Sequence, residues 1–216
     1  EGGPLLMPGM SAERAQTRQK LMRAMQVLSE VIADSNMKVT GVEVETIAAW
    51  GDRELGGRMD LLLEDSSGSE AILDLKWSDS HYRHALEHGL ALQLAVYAEA
   101  RRRETGATSA LHAGYFGLKN ARALSLDGSP FQNTRSYDGD SFENTWERAE
   151  RTVGLTLKVL GSGLVPASAV ADDKAHFIAQ HQLQTDGSPQ YDQKASAACK
   201  YCVNGALCGR SWQGLG

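Results

Sequence analysis

The sequence predicts an α/β fold, in which a mixed central sheet is flanked by helices. Three observations support this prediction. A helical pattern opens the chain, three strand-like segments follow in succession, and a second helix leads into a further strand. The order helix–strand–strand–strand–helix–strand is typical of helices layered on a sheet. The composition, 42% hydrophobic and 23% charged, is that of an ordinary globular chain with enough apolar residues for a core.

The first half of the chain supplies one helix and three strands. A helix is predicted over residues 11–33, with Ser11 as its N-cap and apolar residues recurring at steps of three and four. "KVTGVEVETIAAW" then alternates like a strand. "GGRMDLLLED" and "EAILDLKW" form two more strands, joined by a Ser-Ser-Gly turn at 66–68.

The second half continues the alternation and then loses it. One long helix is predicted for "RHALEHGLALQLAVYAEARRRE", followed by strands in "SALHAGYFGLK" and "ARALSLD" and a helix over about residues 141–160. Beyond Gly161 the sequence is rich in loop-forming residues and ends in a cysteine cluster. We therefore expect a core over residues 1–160 and a C-terminal extension over residues 161–216.

Two predicted neighbouring strands carry charged residues within apolar runs. If the turn is centred on Ser67, Asp60 faces Asp74 across the hairpin, with Cβ atoms about 5 Å apart. Two buried carboxylates repel unless one is protonated or a cation lies between them. Lys76 emerges on the same face as Asp74, about 7 Å along the strand. The alternative, a cross-strand salt bridge on a half-exposed sheet, is disfavoured by the apolar residues on both sides.

This patch has the chemistry of a divalent metal site. Carboxylates suit Mg²⁺ or Mn²⁺, which prefer oxygen ligands, and the backbone carbonyl of Leu75 is a further candidate ligand. Lys76 would orient or deprotonate an attacking water, or stabilise charge on a phosphate. The patch predicts the hydrolysis of a phosphodiester bond.

The preceding strand and the following helix offer further site residues. Glu43 and Glu45 share a face of "GVEVET", and either is a candidate for a third acidic residue of the site. A tight turn at 51–52 sets Glu43 opposite Asp60, which we favour, whereas a looser turn selects Glu45. Glu30 on the first helix is an outside candidate. Gln93 and Tyr97 share a helix face four residues apart. An inward Gln needs a hydrogen-bond partner, which the acidic patch or a phosphate would supply, whereas Tyr97 is alternatively a core residue.

All three cysteines cluster near the end of the chain, in "CKYCVNGALC" as Cys199, Cys202 and Cys208. In an intracellular protein this spacing predicts a metal or redox site rather than a disulfide. Three cysteines leave a four-ligand metal site one ligand short. A histidine such as His176 or His181 completes a zinc site, or the fourth ligand lies elsewhere in a larger protein, or the thiols are unligated.

Charge and hydropathy argue against a membrane protein and against a protein that coats nucleic acid. No apolar run approaches the length of a membrane helix and no signal peptide opens the sequence, so we expect a cytoplasmic protein without a membrane partner. The net charge of −5 argues against a non-specific nucleic-acid coat. The run Arg101–Arg103 is either a nucleic-acid contact or a solvated helix face.

Taken together, "GGRMD", "ILDLK", "QLAVY" and "GYFGLK" resemble the PD-(D/E)xK nuclease superfamily, and specifically its RecB/AddB-like exonuclease branch. The resemblance implies a restriction-endonuclease-like αβββαβ core and Mg²⁺- or Mn²⁺-dependent hydrolysis of DNA, commonly at single strands or ends. It implies metal binding by Asp60 and Asp74, action of Lys76 on the water, and positions near the metal and DNA for Gln93 and Tyr97. The first helix lacks the histidine that this branch often carries.

The resemblance also covers the cysteine spacing. AddB-like nucleases hold a 4Fe–4S cluster with such a triplet and a fourth, upstream cysteine, which is absent from this chain. The implied protein is a nuclease module of a larger helicase–nuclease in DNA repair or recombination. The alternatives are a catalytically inactive, nuclease-like DNA-binding or assembly domain, and a non-enzymatic cysteine–metal module.

Overall fold

The computed structural model describes residue 7 and residues 9–106, 111–132, 134–161 and 163. Residues on the two sides of a boundary between Glu147 and Arg148 belong to two compact units. The helices and strands, in chain order, are α1 (Ser11–Asp34), β1 (Met37–Trp50), β2 (Arg53–Asp65), β3 (Glu70–Lys76), α2 (Ser80–Glu87), α3 (Leu92–Thr105), β4 (His112–Gly117), β5 (Arg122–Leu126), β6 (Arg135–Tyr137) and α4 (Phe142–Gly161).

The six strands form one mixed sheet in the order β1-β2-β3-β4-β5-β6. The first three strands are antiparallel, whereas β3 runs parallel to β4, which returns after the crossover through α2 and α3. The β4–β5 pair is antiparallel and the β5–β6 pair is parallel. This mixed, helix-flanked sheet confirms the predicted fold class, a restriction-endonuclease-like α/β architecture.

Two apolar clusters make up the core of the first unit. One joins the sheet to α3, with Met59, Ile72 and Leu94 each less than 1% exposed. The other joins the sheet to α1 through Leu28, Val31 and their neighbours. Burial of apolar surface stabilises each layer at about 25 cal/mol per Å². The hairpin that carries the acids therefore lies between two apolar layers, as the sequence indicated.

The helix starts and lengths differ from the sequence predictions in two places. The N-cap of α1 is Met10, and no side chain caps it, so the prediction of Ser11 as N-cap was wrong. The predicted long second helix is interrupted between α2 and α3, where Gly89 has φ +60. A left-handed residue ends a helix, and glycine adopts that conformation without steric cost.

Among the described residues, no helix is long and apolar enough to cross a membrane. Cys199, Cys202, Cys208, His176 and His181 lie outside the described residues, so the cysteine–metal site stays a prediction. The predicted domain boundary at residue 160 also stays a prediction.

Candidate active site

Asp74 is a charged residue buried inside the sheet, with 1% of its surface exposed. Its Oδ1 accepts a hydrogen bond of 3.1 Å from Nε2 of Gln93. Its Oδ2 lies 2.6 Å from Nζ of Lys76, an ion pair, and accepts no hydrogen bond of good geometry from the described residues. One buried carboxylate oxygen thus has a cation beside it and remaining capacity for a ligand.

Asp60 lies where the β2–β3 hairpin stops pairing. The register sets Leu61 opposite Leu73, as the predicted turn requires, and the ladder ends there. Beyond that point Oδ2 of Asp60 accepts a hydrogen bond of 2.6 Å from the backbone N–H of Leu75. The contact fixes the carboxylate of Asp60 against the strand that carries Asp74 and Lys76.

The third side of the site comes from α3, which packs against β1, β2, β3 and β4. Nε2 of Gln93 donates to the Tyr97 hydroxyl at 2.8 Å as well as to Asp74. Gly57 makes this approach possible, because a Cβ there would lie 2.5 Å from Cε1 of Tyr97. Close packing of α3 on β2 therefore explains the second glycine of "GGRMD", Gly57.

The pKa values of both partners in the Asp74–Lys76 pair are raised above their ordinary values. Burial raises the pKa of Asp74, and nearby Asp60 raises it further, although Lys76 opposes both effects. Burial lowers the pKa of Lys76, but the Asp74 carboxylate outweighs burial, so the net pKa of Lys76 is raised. Lys76 is therefore held as an ammonium group, and the ionised form of Asp74 is destabilised without a further cation.

Two tyrosines complete the surroundings of Lys76, and sequence reasoning missed both. Tyr115 on β4 is the parallel-sheet partner of Asp74, and burial raises its pKa. The ring of Tyr82 on α2 lies 4.4 Å from that of Tyr115 and 5.6 Å from Nζ of Lys76, within the range of a cation–π contact. The tyrosine in "GYFG" was visible as a residue of a buried strand, but the position of Tyr82 depends on how α2 packs.

The structure does not bring the other glutamates into this contact network. Val42 pairs with Leu61 and Val44 with Met59, so Glu43 occupies the position opposite Asp60, as the tight turn predicts. However, its backbone is left-handed, with φ +50, and its exposed carboxylate accepts a 3.3 Å hydrogen bond from Arg58. Glu45 also binds Arg58, at 2.9 Å. Glu30 on α1 accepts from Gln26. The role of Glu43 stays a prediction.

The basic run at the end of α3 is engaged in ion pairs. Arg102 and Arg103 both bind Glu99, which is 7% exposed. Arg101 binds Glu70 on β3 at 2.7 Å and Glu104 at 3.1 Å. The Arg101–Glu70 pair attaches α3 to β3, and the pairs within α3 stabilise the end of the helix, one turn after Tyr97.

The donor set of this site fits a hard divalent cation. Asp60 and Asp74 supply carboxylate oxygens, and the Lys76 ammonium, 2.6 Å away, is the partner that the described residues give Oδ2 of Asp74. A carboxylate oxygen has two lone pairs, so Oδ2 keeps capacity for a second positive group. Mg²⁺ and Mn²⁺ prefer oxygen ligands of this kind. The carbonyl of Leu75 as a third ligand stays a prediction.

Comparison with known proteins places this arrangement in a family. A search of curated proteins finds no significant match. The family model of the PD-(D/E)XK nuclease superfamily, in contrast, matches residues 6–209, nearly the whole chain. The chain therefore belongs to the PD-(D/E)XK nuclease superfamily.

Proposed function

We propose that this protein is a metal-dependent deoxyribonuclease, an exonuclease of the RecB/AddB-like branch that serves DNA repair or recombination within a helicase–nuclease-type protein. Membership of the superfamily itself suggests a nuclease. One observation carries the proposal further. The buried carboxylate of Asp74 lies between Gln93 and the Lys76 ammonium, on the strand whose backbone holds Asp60.

The two acids have a cation-binding role in this proposal. Nucleases of this superfamily generally use Mg²⁺ or Mn²⁺. When bound, the cation would polarise the phosphate and lower the cost of deprotonating water. Asp60 and Asp74 would hold it, with the Leu75 carbonyl as a further ligand. Gln93 would orient Asp74 by donating to Oδ1, which leaves Oδ2 to Lys76 and the cation.

Lys76 acts as an ammonium group rather than as a base. Because Asp74 raises the pKa of Lys76, the lysine keeps its proton at neutral pH. A fixed ammonium group orients a water by donating an N–H hydrogen bond to the water oxygen, and it stabilises negative charge that develops on the phosphate. Tyr82 and Asp74 hold Nζ from two sides and limit its motion.

A cleavage assay tests the proposal. The full chain is incubated with Mg²⁺ or Mn²⁺ and end-labelled single-stranded or double-stranded DNA, with a circular single strand as a parallel substrate. We expect linear DNA to be degraded from an end and the circle to persist. Cutting of the circle would contradict the exonuclease assignment, and no cutting of either substrate would contradict nuclease activity.

Two variants assign the activity to the site. Asp74→Ala should abolish cleavage, which also excludes a contaminating nuclease. Asp52→Asn, at the exposed turn between β1 and β2, is the matched control and should cleave like the wild type. Equal cleavage by Asp74→Ala and wild type would remove Asp74 from the mechanism.

A second candidate function is a nuclease-like domain that binds DNA without cutting it. One observation favours it: Glu43 and Glu45 both pair with Arg58, so the described contacts around Lys76 include two acids and no third. This candidate predicts binding of labelled DNA by fluorescence anisotropy together with intact substrate after long incubation in Mn²⁺.

A further inference from the structure

We propose that His84, Glu87 and His88 on α2 bind a divalent transition-metal ion such as Zn²⁺, at a site separate from the acidic one. One ligand atom from each residue lies within 4.8 Å of the other two. His84 and His88 are exposed and Glu87 is half-buried, so an ion reaches the cluster from solvent. The cluster shares no residue with the Asp60–Asp74–Lys76 patch.

The spacing brings the three side chains to one side of the helix end. His84 and His88 are four residues apart, and their ring centroids are 4.0 Å apart. Residues four apart in a helix are surface neighbours, and Glu87 lies three residues from His84 on the same turn. The same arrangement of two histidines four apart on a helix is a known way to hold zinc.

A backbone contact prepares His88 for coordination. Its Nδ1 lies 3.1 Å from the carbonyl oxygen of His84, a contact that only a protonated Nδ1 satisfies. In a neutral ring with the proton on Nδ1, Nε2 keeps its lone pair. A hydrogen bond from the non-ligating nitrogen to a backbone carbonyl is the usual partner of a metal-binding histidine.

The ligand types indicate which ion would bind. Imidazole nitrogen suits Zn²⁺, Cu²⁺ and Ni²⁺, whereas Mg²⁺ and Ca²⁺ prefer an all-oxygen set. Three protein ligands leave at least one position for water. The position at the last turn of α2, with His88 as the C-cap, also favours a cation because the helix dipole is negative there.

Arg83 competes with an ion at this site. Its Nε lies 2.9 Å from Oε1 of Glu87, and its guanidinium lies 5.8 Å from the centroid of the Tyr137 ring. An approaching cation must therefore share the Glu87 carboxylate with a positive charge. Removal of Arg83 should strengthen metal binding, an effect opposite to that of removing a ligand.

Calorimetric titration of the full chain with zinc, in the presence of excess Mg²⁺, tests the proposal. We expect His84→Ala and His88→Ala each to lose one zinc equivalent per chain, or to weaken that equivalent by at least about tenfold. His81→Ala, which removes an exposed histidine of the same helix outside the cluster, is the control and should match the wild type. The same comparison in a Cys199→Ser, Cys202→Ser, Cys208→Ser background separates this ion from zinc held by thiolates.

Two further variants should change the zinc affinity in opposite directions. Glu87→Gln should weaken the zinc equivalent, and Arg83→Ala should tighten it. Zinc should also raise the Tm of the wild type but not that of His88→Ala, because an ion that binds only the native helix stabilises it. Binding of the same number of equivalents with unchanged affinity by both histidine variants would overturn the proposal, as would weaker binding by Arg83→Ala.

Discussion

Asp74 and Asp79 are two aspartates of similar burial whose surroundings differ. Asp74 is 1% exposed and Asp79 is 4% exposed, and each lies beside a basic side chain. Oδ1 of Asp79 accepts from Asn120 at 2.6 Å, and Oδ2 accepts two hydrogen bonds from Arg122, one of them at 3.0 Å. Asp74 receives one hydrogen bond, from Gln93, and an ion pair with Lys76.

The difference appears in the direction of the pKa shifts. Burial raises the pKa of Asp79, but Arg122 and Asn120 outweigh burial and the net pKa is lowered. For Asp74, burial outweighs Lys76, and Asp60 adds to it, so the net pKa is raised. The exposed fraction alone therefore does not fix the direction of a carboxylate's pKa shift, which depends on its desolvation and on the donors and charges around it.

The same substitution at both positions should give the largest contrast in activity. Asp74→Asn removes a proposed metal ligand and should lower the rate of DNA cleavage by about 10³-fold or more. Asp79→Asn should keep most of the wild-type cleavage rate at temperatures below the Tm of the variant, because Asp79 contributes to folding and not to cleavage. Rates on labelled DNA in Mn²⁺ measure both, and equal losses in the two variants would cancel the distinction.

The stabilities of these two variants should change in opposite directions. Asp79→Asn takes a carboxylate from Arg122 and should lower the free energy of unfolding by about 2 kcal/mol, or the Tm by roughly 4–8 °C. Asp74→Asn removes a destabilised charge and should raise the Tm of the metal-free protein at neutral pH. Thermal unfolding in EDTA measures both shifts, and a lower Tm for Asp74→Asn would contradict the raised pKa of Asp74.

The pH dependence should separate the two carboxylates further. Because the folded-state pKa of Asp79 is lowered, its stabilising contribution is present above the unfolded value near 3.8 and is lost as the pH falls through the folded value. The folded-state pKa of Asp74 is raised, so its destabilising contribution is complete above that raised value, shrinks as the pH falls below it, and is gone below the unfolded value near 3.8.

Urea unfolding at a series of pH values checks these signs. Acidification should remove the difference in free energy of unfolding between each variant and the wild type. For Asp74→Asn this difference should vanish at a higher pH than for Asp79→Asn. The reverse order would show that the two acids have been assigned the wrong environments.

The smallest expected effect concerns the helix that orients Asp74. Gly57→Ala places a Cβ 2.5 Å from the Tyr97 ring, which must shift and loosen Gln93, the donor to Oδ1 of Asp74. We expect a loss of about 1 kcal/mol of stability and a several-fold slower cleavage. Gly154→Ala in α4 is the control: its Cβ meets nothing within 4 Å, so it should leave cleavage unchanged and raise stability by up to about 1 kcal/mol.

Much of the candidate site was accessible from local sequence rules. Strand alternation placed Asp74 and Lys76 on one face, and the turn at 66–68 fixed the hairpin register that pairs Leu61 with Leu73. Helical spacing placed Gln93 and Tyr97 together. These features depend on neighbours within one element or one tight hairpin, where geometry leaves few alternatives.

Other features escaped the same rules because they depend on contacts between distant elements. Glu43 has the predicted position, but its left-handed backbone and the guanidinium of Arg58 direct its carboxylate elsewhere. The break between α2 and α3 lies in a continuous helical pattern and was missed. Tyr82 reaches Lys76 from α2, a helix that the sequence pattern did not separate from α3.

The sequence by itself determined the order of elements from α1 to β3, the hairpin register, and the shared faces of Asp74 with Lys76 and of Gln93 with Tyr97. The tertiary structure decided which acids lie near Lys76, which cations neutralise the other acids and which donors reach each carboxylate oxygen. The reason is physical: periodicity and turn length fix where a side chain emerges, whereas its pKa and its free lone pairs depend on groups brought near it by packing from elsewhere in the chain.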